Sequence, residues 1–121
     1  MNTNYEPIIL DNIRQGILLL DHKLKFLFIN QEAEEILGKS STALKKNNAL
    51  KDIDKEIVKL IKGVKKNHKT KFVSEIITRN SLGKENITSI YLKPIFDYKQ
   101  KTPVLNFILI QFTNLEGMSF L

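Results

Sequence analysis

The chain has 121 residues, 42% of them hydrophobic, which suffices for one domain with a core of its own. It contains no cysteine, which excludes disulfides, thiolate catalysis and cysteine metal sites and fits a reducing, cytoplasmic setting. The net charge of +6 comes from one segment: residues 45–71 carry a net +7, against −2 for residues 1–44 and +1 for residues 72–121.

A +6 chain raises the question of nucleic acid, but the basic residues are 17 Lys to 2 Arg, so the side chain suited to bidentate phosphate and base contacts is nearly absent. Residues 45–71 also contain no aromatic on which single-stranded bases could stack. No nucleic-acid partner is expected, and the lysines read first as a solvated face, then as a surface for an acidic protein. No apolar run approaches the roughly 18 residues that span a bilayer. The start, MNTNYEPIIL, lacks the basic and long apolar regions of a secretory signal. A cytoplasmic protein without a membrane partner is expected.

In chain order, residues 5–14 predict a short amphipathic helix, with Pro7 in its first turn, Ile8, Ile9 and Ile13 on one stripe, and Gly16 as its stop. Residues 17–20, Ile-Leu-Leu-Leu, are apolar on both faces, as in a strand covered from two sides. Asp21-His22-Lys23 is a turn, and residues 24–29, LKFLFI, complete a hairpin. Asn30 is placed to cap a short helix whose Ala33, Ile36 and Leu37 form a core face and whose stop is Gly38. Residues 39–49 read as irregular, with a single helical turn near Ser41–Leu44.

Asp52 or Asp54 can cap a helix over residues 54–67, where Ile57, Leu60, Ile61 and Val64 recur at i, i+3, i+4, i+7. Gly63 weakens it by roughly 1 kcal/mol relative to Ala. Three strands follow, over residues 70–79, 85–95 and 104–113, separated by the turn Asn80–Lys84 and a polar loop. The fold class is α+β: a five-stranded antiparallel sheet with helices on one face and an N-terminal flanking helix. Strands 17–20 and 104–113, both apolar on two faces, should be neighbours at the sheet centre. The outer face then needs a cover, either the flanking helix or a second subunit.

The run of two strands followed by Asn30-x-x-Ala33-Glu34-x-x-Leu37-Gly38 resembles the start of a PAS domain, and the order of elements resembles that family over residues 5–116. The chain is thus expected to be one domain, with the flanking helix at about 5–15 and the core at about 16–116. Within the family it looks most like the N-terminal sensor domain of nitrogen-regulation (NtrB-type) histidine kinases. Residues 40–50, SSTALKKNNAL, the basic helix after them and the run Ser89–Ile95 carry that finer likeness. The Asp-Ile-Thr motif that ends many PAS domains is replaced here by Asn114-Leu115-Glu116.

The resemblance implies a sensor and dimerisation module that regulates a kinase or other output domain in a homodimer. A small-molecule-binding domain of a transcriptional regulator is the alternative, and a basic nucleic-acid-binding domain driven by residues 45–71 is a weaker one. No catalytic constellation is present, so the domain is not expected to be an enzyme. Flavin photochemistry is excluded by the missing cysteine. A haem ligand is not expected either: His68 sits at a helix end, where it reads as a solvated or C-capping residue, and His22 lies in a turn. With two histidines and no cysteine, no metal site is expected. Glu32, Glu34 and Glu35 share one short helix without a partner base, and read as surface residues. Ile57, Leu60, Ile61 and Val64 read first as a filled core, and with Phe28 they are the candidate pocket lining; the candidate dimer interface is Ile8, Ile9, Ile13, Phe107 and Leu109.

Overall fold

A computed structural model describes Tyr5 and residues 15–47, 50–99 and 101–115. The flanking helix expected at 5–15, with Ile8, Ile9 and Ile13, lies outside the described residues apart from Tyr5 and Gln15, as does Glu116. Among the described residues the order is β1 (Gln15–Asp21), β2 (Phe26–Ile29), α1 (Gln31–Leu37), α2 (Ser41–Asn47), a 3-10 turn (Leu50–Asp52), α3 (Lys55–Asn67), β3 (Lys71–Arg79), β4 (Glu85–Asp97) and β5 (Val104–Asn114). The strands form one antiparallel sheet in the order β2-β1-β5-β4-β3, so the two doubly apolar strands β1 and β5 are paired at its middle.

Alternation along the strands divides the sheet into two faces. Leu18, Ile110 and Leu92 lie in one register row on the inner face, Leu20, Ile108 and Pro94 in the next, and Gly16, Phe112 and Ile90 in a third. All nine are buried. α1 and α3 close this face with Ala33, Ile36 and Leu37, and with Ile57, Ile61 and Val64. Full burial of one such aliphatic side chain stabilises the fold by about 1.5–3 kcal/mol.

Asn30 does more than cap α1. Its Oδ1 accepts from Ala33 N at 3.0 Å and from Ile17 N at 2.8 Å, while its Nδ2 donates to Gln15 O at 2.8 Å. One buried side chain thus satisfies backbone groups of both a helix end and β1. Gly16, expected as a helix stop, is an inner-face residue of β1. A Cβ there would stand 3.0 Å from Ala33 Cα and 3.2 Å from Ala33 N, so its smallness lets α1 lie against the strand. Gly38 is the left-handed residue after α1, at φ 74°. Its carbonyl accepts from Ser81 Oγ, and Leu37 O accepts from Ser81 N, which fastens the α1 end to the β3–β4 turn.

Among the boundaries that differ from the sequence reading, three stand out. The second strand starts at Phe26, because Leu24 turns left-handed (φ 66°) inside a loop held by Asp21 Oδ1, which accepts from Lys23 N and Lys25 N. The residues read as one helical turn form α2 of seven residues. Ser40 Oγ accepts from Ala43 N, and Glu34 Oε2 accepts from Ser41 N at 2.6 Å, so side chains satisfy two of the donors of its first turn. Glu34 is therefore a structural acceptor. β4 runs two residues beyond the expected Ile95, to Asp97, across a register shift at Ile95/Phe96.

Candidate functional site

α3 and β3 border the open side of the molecule. Asp54 starts α3: its Oδ1 accepts from Glu56 N at 2.8 Å and Ile57 N at 3.3 Å. Its Oδ2 accepts from Arg79 N at 2.7 Å and ties this end of the helix to the end of β3. The other end is closed by His68, left-handed at φ 57°, whose backbone N–H donates to Val64 O. The His68 ring meets Phe96 edge-on at 5.6 Å. The histidine thus caps through its backbone and stacks through its ring.

Between these ends lies a groove of about 590 Å³. Leu60, Val64 and Ile76 give it an apolar lining, and Lys59, Lys69 and Lys71 stand around it with Glu56 as the single acid. Gly63 also lines it, and a Cβ on Gly63 would meet nothing within 4 Å. Of the candidate pocket residues, Leu60 and Val64 reach this groove. Ile57 and Ile61 are fully in the core.

Phe28 does not join them. It pairs with Leu19, which alternates with the buried Leu18 and Leu20, and so lies on the outer face of the sheet. The register shift between Leu19 and Leu20 is the cause: Leu27 is an extra residue opposite β1, so Phe26 faces the core and Phe28 faces away from it. Sequence reasoning did not single out Lys69, Lys71 and Ile76; Gly63 interrupting an amphipathic helix was the available signal.

The outer face carries the other candidate set. Phe28, Leu19 and Leu109 form one register row, and Phe107 and Ile95 pair in an adjacent one. All five are half-buried. Phe107 and Leu109 are thus brought together on one mainly apolar surface, with Lys93 and Asp21 at the ends of the two rows; Ile8, Ile9 and Ile13 lie outside the described residues. At the end of β5, Leu115 N donates to Ile87 O at 2.8 Å.

A second hollow, of about 500 Å³, is bordered by Asp52, Asp54, Glu56, Arg79 and Glu85. Three of its charges are used within the fold: Asp54 accepts the backbone bonds given above, and Arg79 pairs with Glu85 at 3.4 Å between largely exposed side chains. Among the described residues no group of three His, Asp or Glu side chains could hold a metal ion. No helix among them is long and apolar enough to cross a membrane. Every buried side-chain nitrogen or oxygen among them has a hydrogen-bond partner.

The architecture has many counterparts among solved structures. The PAS domain of nitrogen regulation protein NR(II) from Vibrio parahaemolyticus superposes with a TM-score of 0.67 at 16% identity, covering 93% of this chain and 99% of that one. A PAS domain from a two-component sensor histidine kinase gives 0.68 at 15% identity, covering 91% and 93%. The PAS domain of the fruit-fly ELK potassium channel gives 0.67 at 14% identity, covering 94% and 98%. At these identities the likeness is one of fold, shared by proteins as different as a kinase and a channel. Comparison with curated proteins finds no significant match. A family model described as a PAS domain matches residues 8–69, just over half of the chain and the stretch that includes the Asn30 cap, the Gly38 stop and the whole of α3. With the five-stranded sheet and its helices on one face, that match makes the chain a member of the PAS domain family.

Proposed function

We propose that this PAS domain is the sensor and dimerisation module of a cytoplasmic two-component histidine kinase of the nitrogen-regulation type. In this reading two copies pair through the outer sheet face, and the pair passes its state to an output domain through the segments that flank the sheet. The observation that carries the proposal is the apolar row Phe28, Leu19 and Leu109, with Phe107 and Ile95 beside it, on the side of the sheet away from α1 and α3. Burial of these side chains between two copies would contribute hydrophobic area to a homodimer. The reading requires neither a catalytic group nor a bound cofactor in the domain.

Sedimentation at micromolar concentration tests it. The chain should sediment as a dimer, and Phe107→Asp or Leu109→Asp should give a folded monomer, because a carboxylate inside an apolar interface is left unpaired. A strict monomer, or a dimer that both substitutions leave intact, would refute the pairing.

A further inference from the structure

The groove between α3 and β3 faces away from the proposed pairing surface and asks for a different occupant. Lys55, Lys59, Lys62 and Lys66 recur at i, i+4, i+7, i+11 along α3, so they form one stripe. Lys69 and Lys71 continue the charge onto the β3 side. All six are exposed, and none has an ion-pair partner among the described residues. The groove itself is lined by Leu60, Val64 and Ile76. At Gly63 the helix omits a side chain where there is room for one, at a cost of about 1 kcal/mol in helix stability. The missing side chain keeps the groove open.

We infer that this groove docks an acidic amphipathic segment of a partner protein, apolar along its middle and carboxylate-bearing along its edges. Charge complementarity selects this occupant: Lys59 on α3, Lys69 in the link after it and Lys71 on β3 outnumber the single acid, Glu56, around the apolar lining. The groove has no arginine and no aromatic residue for nucleic-acid contacts. Its concave form suits an inserted helix or strand better than a flat membrane. The inference does not depend on the outer-face pairing, and Phe107→Asp should leave it untouched.

The test uses the whole chain and a fluorescein-labelled peptide with Leu at i, i+3 and i+4 and Glu at its remaining positions. Anisotropy should show binding that weakens about tenfold or more between 50 and 300 mM salt, as expected for exposed charge pairs. The same peptide with Lys for Glu should not bind. Lys59→Glu combined with Lys69→Glu should lower affinity about tenfold or more through like-charge repulsion. Gly63→Leu should abolish binding by filling the groove while leaving the melting temperature unchanged or higher, so lost binding cannot be lost folding. Absence of binding, indifference to both variants, or equal binding to anionic vesicles or an oligothymidylate would overturn the inference, as would evidence that the peptide competes only with self-association.

Discussion

Replacing Asn30 by Ala should cost far more than the loss of a helix cap. The side chain is 1% exposed and meets three backbone groups: Ala33 N, Ile17 N and Gln15 O. An N-cap is worth about 1 kcal/mol. Leaving the Ile17 donor and the Gln15 acceptor without their partner adds about 1 kcal/mol each. The expected loss is therefore about 3 kcal/mol, which for a urea slope of about 2 kcal/mol/M lowers the midpoint by about 1.5 M. Asn30→Asp keeps an acceptor for both N–H groups but sets an oxygen against Gln15 O, so its loss should lie between wild type and Asn30→Ala. Urea denaturation followed by far-UV circular dichroism measures both. A loss below about 1 kcal/mol for Asn30→Ala would show that Asn30 acts as a cap alone and that β1 is held by its neighbours.

Two glycines of opposite character give the remaining predictions. Gly38→Ala places a Cβ on a residue at φ 74°, 2.9 Å from Ser81 Oγ and 3.0 Å from Asn80 Cβ. It should destabilise by at least about 1–2 kcal/mol, the cost of the left-handed conformation for a residue with a Cβ, and thermal denaturation should show the drop. Gly63→Ala places its methyl group in open space on α3 and should stabilise by up to about 1 kcal/mol, read as a higher melting temperature.

The elements most readable in the sequence are those fixed by local chemistry. Asn30 before an amphipathic run and Gly38 after it bracket α1, and both do what their residue types suggest. The i, i+3, i+4, i+7 stripe of α3 buries Ile57, Ile61 and Val64, and the doubly apolar β1 and β5 pair at the middle of the sheet. What was not readable depends on contacts between distant residues. Gly16 is explained by Ala33, seventeen positions away, and α2 owes part of its first turn to Glu34 on the preceding helix. Phe28 shows the limit most clearly. Period-2 alternation puts Phe26 and Phe28 on one face, but the extra residue at Leu27 reverses that relation, and nothing in LKFLFI marks the bulge.

The candidate site has the same division between local and distant causes. The lysine stripe of α3 is visible as a helical repeat, but the opposite side of the groove is not, because Lys69, Lys71 and Ile76 reach it only once β3 has joined the sheet. One of the contacts that set the position of α3 is equally distant. Asp54 binds Arg79 N, and Arg79 is followed by the turn whose Ser81 holds Leu37 O and Gly38 O at the end of α1. α1 in turn begins at Asn30, which binds Gln15 O at the start of β1. A continuous line of backbone groups, held at Asn30, Ser81 and Asp54 by side chains, therefore runs from the first residue of the sheet to the first turn of the helix that walls the groove. Because each of the three side chains binds backbone, the line fixes the placement of elements and leaves the groove-lining residues free to set what the groove accepts. A match over residues 8–69 thus identifies the fold while leaving the docking chemistry to Lys59, Leu60, Gly63 and the side chains of β3, with Val64 serving both the core and the groove.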